Sequence, residues 1–362
     1  MTTRRPSSSG LTLIELLIVL AIIVLLISLV VPAVQASRES SRRIQCNNNL
    51  HQFGVAFTNF ESRNKAFPSS ITVRLKGPLT TEPVYEMHNF MADLLPFLDE
   101  GGKVANFDKM ALFCAEQNRP VIASPLTVAL CPSSPRGENI SQTKYVPSLR
   151  RHESERALYR AAWNAIDAKY SIDFVGGATD YGVPVNAEDG LANLFGYKIP
   201  KNDPAGLPSM FPSPISQKST QQKLNSVVTK AGEVFFSIQT RASQVTDGLS
   251  HTFMMTEIAG RPQHWQFGMR TSAGEPLPSS WADPEGATFD IKSIDSPKGK
   301  CIIQCGNSGE NGDIDAEIYS FHPGGVNFLF ADGHVQSLAA DIDPHLLLTL
   351  MTPDQSDNSD SP

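Results

Sequence analysis

The sequence has no surplus of positive charge. Its 30 Lys and Arg stand against 37 Asp and Glu, giving a net charge of −7. Nucleic-acid binders normally carry a basic patch or stripe, so this balance argues against that class. The chain also lacks the G-x-x-x-x-G-K-[ST], G-x-S-x-G and H-E-x-x-H patterns, which removes the P-loop, nucleophile-elbow and zincin readings. Charged residues are only 19% of the chain, whereas Gly and Pro number 25 and 26. So many turn formers favour a loop-rich body with strands over a helical bundle. The 362 residues, 41% of them hydrophobic, suffice for one large or two modest domains. The five cysteines, Cys46, Cys114, Cys131, Cys301 and Cys305, cannot all pair within one chain. Cys301–Cys305 and Cys114–Cys131 are permitted pairs in an oxidising compartment, buried thiols are the alternative, and sequence does not decide connectivity.

Charge is most conspicuously missing near the N-terminus. Residues 1–10 are polar and carry Arg4 and Arg5 without an acid; from Leu11 the chain becomes strongly apolar. No charged residue occurs from Leu16 to Val34. At 1.5 Å per residue this run spans roughly 30 Å, about one hydrocarbon core, and predicts a single membrane helix. Glu15 is the exception, because a carboxylate inside a span costs about 2.5–3.5 kcal/mol on insertion scales. It needs a partner, or a place at the helix mouth within reach of headgroup water. An ordinary secretory signal, cut after Val34-Gln35-Ala36, is the competing reading. Its apolar core would exceed the usual length of about 7–15 residues.

Gly10-Leu11-Thr12-Leu13-Ile14-Glu15-Leu16-Leu17 resembles the type IV prepilin motif, with Leu11 where that family usually has Phe. Pro32 matches a proline of the family's helix. The resemblance implies cleavage after Gly10 by a prepilin peptidase and N-methylation of the new terminus at Leu11. It also implies that Glu15 takes part in assembly by meeting the Leu11 amine of a neighbouring pilin-like subunit. Flanking charge nearly balances, with Arg38, Arg42 and Arg43 offset only by Glu39, so the motif decides orientation. The N-terminus is expected in the cytoplasm before cleavage. The protein is then a single-pass inner-membrane protein with its head periplasmic or extracellular.

Beyond Pro32 the pattern becomes amphipathic. Cys46, Leu50, Phe53, Phe57 and Phe60 recur at helical spacing and predict a buried stripe, with Asn47, Asn48, Asn49, Gln52 and Asn59 towards solvent. One helix from Leu11 to about Ser62 would be roughly 78 Å long. The expected fold is α+β, a long helix packed on a pilin-like head that contains an antiparallel sheet. The expected divisions are a leader at 1–10, a transmembrane helix at 11–34 and its amphipathic continuation at 35–62. The head follows at 63–345, with a possible insertion at 137–225, and a tail at 346–362 whose end is disordered. Met91–Leu98 reads as a short helix or buried segment ended by Pro96, and Leu126–Cys131 as a strand. Residues 152–169 read as a surface helix, 200–225 as loop, Val234–Ile238 and Thr252–Ile258 as strands, and 270–300 as loop.

Val326–Ala331 and His334–Leu338 predict a hairpin about Asp332-Gly333, a two-residue turn with positive φ at both positions. His322, nine residues and Asp332-Gly333 resemble the His-x9-Asp-Gly signature of large pilin-like proteins with a head of unknown function. Arg43–Leu50, Leu130–Ser133 and Val245–Thr252 fit the same family, and residues 137–225 match it least.

Little chemistry emerges. His322 and Asp332 lie at opposite ends of a strand, too far apart for joint acid–base work. A zinc set of Cys301, Cys305, His322 and His334 misses the usual spacings. The acidic loop 307–317 reads first as a solvated loop, with a calcium site at Asp313, Asp315 and Glu317 as the alternative. No other cofactor is expected, nor is an enzyme. The leading expectation is a pilin or pseudopilin structural subunit of the type II secretion kind. A surface binding module that uses the prepilin signal only for placement is the second, and an exported hydrolase the third.

Overall fold

The computed structural model describes residues 12–77, 84–104, 106–135, 142–145, 174–187, 189–194, 197, 207–212, 232–271, 279–284, 286–292, 294–296, 299–307 and 318–354. The chain divides into two units, 1–44 and 45–362. Helix α1 (Leu13–Asn64) runs across that boundary and contains Pro32. Its first unit is exposed on every side from Leu13 to Arg38. Leu13 is 80% exposed, Val24 66% and Leu29 67%. A helix apolar all round, with no packing of its own, has lipid as its natural cover.

In the second unit α1 buries one face. Cys46, Leu50, Phe53, Ala56, Phe57 and Phe60 are all buried, as the stripe predicts. Phe57 stacks on Phe90 at 5.7 Å and meets Phe211 at 5.6 Å. Asn49 departs from the expectation of a solvent-facing residue. It is buried, and its Nδ2 donates to the Leu130 carbonyl at 2.9 Å. Its position one residue before Leu50 puts it on the flank of the stripe, where a buried amide requires a partner.

Among the described residues of the head, a three-stranded and a six-stranded sheet are the largest, beside three two-stranded ribbons. Strands β1 (Ile71–Gly77), β2 (Val84–Asn89), β3 (Tyr181–Ala187), β4 (Gly232–Phe236), β5 (Phe253–Glu257), β6 (Thr288–Ile291), β7 (Gly325–Phe330) and β8 (Val335–Ala339) are its main strands. β2–β1–β4 is antiparallel. The larger sheet runs β6–β3–β5–β7–β8, with Leu207–Pro208 added beside β3. Only its β6–β3 pair, among the pairs of this path, is parallel. β3 lies within 137–225, so part of the segment read as a possible insertion is integral to this sheet.

Every residue of β5 and β7 is buried, because the sheet is covered on both faces. Leu329 packs in the cluster that holds Phe53 and Phe57 of α1. Val326, Phe328 and Phe330 join a second cluster with Phe253, Leu347 and Leu348. The last two come from α2 (Pro344–Thr349), which Asp343 caps by accepting the His345 N–H. The alternation of period two along β7 thus sorts its side chains between two cores.

Several local expectations hold in part: Phe90–Leu94 is helical, though a 3₁₀ turn carries on through Pro96 instead of stopping there; β5 forms within Thr252–Ile258; and β4 ends at Phe236, short of Ile238. Leu126–Cys131 is not a strand but holds a 3₁₀ turn at Thr127–Ala129. An apolar run this short, set between Pro125 and Pro132, carries no period that separates the two states. Residues 270–300 include short strands, β6 among them, where loop was expected. Residues 152–169 and the end of the tail lie outside the described residues.

Candidate functional site

The N-terminal motif begins at the edge of the described residues, and Gly10 and Leu11 lie outside them. Thr12 and Glu15 cap α1 reciprocally. The Thr12 N–H donates to Glu15 Oε2 at 2.9 Å, the Thr12 hydroxyl donates to the same oxygen at 2.8 Å, and the Glu15 N–H donates to Thr12 Oγ1 at 3.4 Å. This is the capping box announced by Thr-x-x-Glu just before an apolar run. The Glu15 carboxylate therefore finds its first partner within its own chain, and Thr12-Leu13-Ile14-Glu15 is the sequence signal for it.

Besides the packed Phe stripe and Asn49, the head grips α1 at two further points, one beside His322 and one beside Gly333. At the first, Cys46 of α1 forms a disulfide with Cys131, 85 positions away. Cys301–Cys305 is also bonded, as one permitted pairing had it, while Cys114 is free and buried instead of joined to Cys131. Burial, aided by the charge of Asp283, pushes the Cys114 thiol up to about 12. Such a thiol is chemically quiet.

His322 sits beside the Cys46–Cys131 bond. Its Nε2 is 3.2 Å from Glu257 Oε1, and both side chains have zero exposure. Cys131 Sγ lies 3.6 Å from each of those two atoms. Glu257 Oε2 accepts the Asn327 N–H at 2.9 Å. Asp180, also buried, accepts the Cys131 N–H at 2.7 Å through Oδ2 and the Gly260 N–H at 3.2 Å through Oδ1. The His322 loop is further held by Gln304, inside the Cys301–Cys305 loop, whose Nε2 donates to the His322 carbonyl at 2.6 Å. A carboxylate this deep is tolerated because its oxygens are engaged. Sealed from solvent, the pair is not placed to meet a substrate.

At the second point the hairpin turn touches α1. Phe330 O accepts the Gly333 N–H at 2.9 Å, and the Phe330 N–H donates to His334 O at 2.9 Å. Gly333 has φ +92°, and it alone of Asp332 and Gly333 has positive φ. The turn is therefore a three-residue loop closed by a glycine bulge, not the two-residue form expected. Asp332 Oδ1 accepts the His334 N–H at 3.0 Å and lies 2.6 Å from His334 Nδ1. Gly54 of α1 faces this turn: a Cβ there would stand 3.2 Å from Gly333 O and 2.9 Å from Leu329 Cδ1. His322 and Gly333 thus lie beyond opposite ends of β7, one beside the Cys46–Cys131 bond and the other against Gly54 of α1, while Asp332 shapes the turn through His334.

The imagined zinc set is not assembled. Cys301 and Cys305 are bonded to each other, His322 faces Glu257, and His334 is exposed beside Asp332. Asp313, Asp315 and Glu317 lie outside the described residues. The pairing of Cys46 with Cys131, the Glu257–His322 contact and the role of Asp180 were not visible in the sequence.

Residues 5–31 match the prokaryotic N-terminal methylation motif. No curated protein and no solved structure matches the chain. A family model described as a protein of unknown function (DUF1559) matches residues 35–345, and the chain, a prepilin-like protein, belongs to that family.

Proposed function

We propose that this protein is a type IV pilin-like, non-catalytic structural subunit. A prepilin peptidase removes residues 1–10, Leu11 becomes the methylated terminus, and α1 stays in the inner membrane as anchor and assembly element. The observation that carries this reading is α1 itself: one helix that is uncharged and exposed from Leu16 to Val34 and is bonded into the head further along through Cys46. A disposable signal has no reason to continue into the core of the protein it exports. In assembly, the Leu11 amine of a neighbour competes with Thr12 for the Glu15 carboxylate, and the exposed apolar sides of α1 pack against other pilin-like helices.

Glu15→Leu tests assembly separately from anchoring. The variant is expected to stay in the membrane fraction with an intact head and to disappear from any sheared filament fraction or cross-linked subunit ladder. Unchanged filament or ladder yield overturns the assembly role. Absence of any such fraction in the wild type points to the anchored binding module.

A further inference from the structure

Outside the N-terminal motif, the densest group of metal-ligating side chains among the described residues is the one at the first grip point. Cys46, Cys131, Glu257 and His322 are all buried, and one ligand atom from each falls within 4.8 Å of the others. Three of the separations are 3.2, 3.6 and 3.6 Å, for His322 Nε2 to Glu257 Oε1 and for Cys131 Sγ to each of those atoms. A tetrahedral zinc ion with bonds of about 2.0–2.3 Å separates its ligands by about 3.3–3.8 Å. Glu257, His322 and Cys131 therefore already define one face of such a tetrahedron. Cys46 supplies the fourth corner once its sulfur is no longer bonded to Cys131.

The surroundings have the character of an outer shell. The second oxygen of Glu257 is fixed by the Asn327 N–H, and the backbone of Cys131 by Asp180. The His322 N–H donates to Ser320 Oγ at 3.2 Å, and its carbonyl accepts from Gln304. Ligands oriented in this way hold metals more tightly. The chain separations between the four residues are far longer than any zinc-finger spacing, so no sequence pattern announces the set.

We infer that in the dithiol state these four residues form a closed structural site for zinc, so that α1 is joined to the head either by a metal or by a sulfur–sulfur bond. Metal uptake accompanies folding, since all four ligands end buried, and it releases the two thiol protons to solvent. Exchange with a partner disulfide then forms Cys46–Cys131 and frees the cation. The partner takes two electrons from the thiolates and two protons from solvent, and leaves as two thiols. The inference concerns the head alone and holds whether or not the protein enters filaments.

The test uses the full chain carrying Cys114→Ser, Cys301→Ser and Cys305→Ser. It is produced in a reducing compartment with zinc in the medium and purified in detergent without oxygen. Equimolar bound zinc is expected, lost in Cys131→Ser and weakened in His322→Asn by more than the roughly 10- to 100-fold that an outer-shell change costs. Protein grown with cobalt should show the ligand-field bands of a tetrahedral ion and a thiolate-to-cobalt charge-transfer band, and a disulfide donor should abolish both while the free cation appears. Reduced protein without zinc, whether folded or unfolded, overturns the inference. So does bound metal that survives both Cys131→Ser and His322→Asn.

Discussion

The two units of α1 obey the same backbone geometry and opposite surface rules. From Leu16 to Val34 the helix is uncharged and exposed on all sides; from Cys46 it is apolar on one face, and that face is buried. A ring of Leu, Ile and Val is indifferent to which neighbour covers it, as suits a helix whose surroundings are lipid or other helices. The Phe stripe is specific, because each ring fits against particular partners such as Phe90 and Phe211. One half is therefore built for exchangeable contacts and the other for a fixed one.

The sharpest way to break this comparison is to truncate one residue in each half. Phe57→Ala leaves a hole among packed rings and should cost the head about 3–5 kcal/mol in chemical denaturation. Val24→Ala, 66% exposed in the chain, should leave the same transition within about 0.5 kcal/mol. Equal effects would mean that the halves are not distinct.

A smaller effect is expected where helix and turn approach closely. Gly54→Ala pushes a methyl group against the Gly333 backbone and Leu329 and should cost about 1–3 kcal/mol by the same assay. A neutral result would remove the second grip point.

Smaller still is the effect of Asp93, which anchors the first helix after β2. Burial alone would raise its carboxyl, but His88 at 3.4 Å and Lys109 at 2.8 Å outweigh burial and hold it below the usual carboxylate range. A depressed carboxyl contributes stability above its unfolded value of about 3.9 and loses it as pH falls through the lower folded value. Asp93→Asn should therefore be less stable than wild type at neutral pH, with the gap closing in acid. A gap that widens in acid would reverse the assigned sign.

Much of this contrast was legible in the residues. The uncharged run gave the membrane half, the spacing of Cys46, Leu50, Phe53, Phe57 and Phe60 gave the buried face, and Asp332-Gly333 gave the hairpin. Each is a local pattern whose period or turn chemistry depends on near neighbours. The first grip point was hidden because its members come from distant parts of the chain. Nothing near Cys46 names Cys131, and nothing near His322 names Glu257. The short strands between residues 270 and 300 were hidden for another reason: three or four residues among Gly, Pro and Ser are too few to show alternation.

The central claim is that α1 is a retained part of the mature protein, seated in lipid at one end and bonded into the head at the other. Mass spectrometry of native protein under non-reducing conditions tests it directly. The expected result is a chain beginning at N-methylated Leu11 with a Cys46–Cys131 cross-linked peptide. A chain beginning at Ser37, or one still carrying Met1 and the nine residues after it, would contradict the claim.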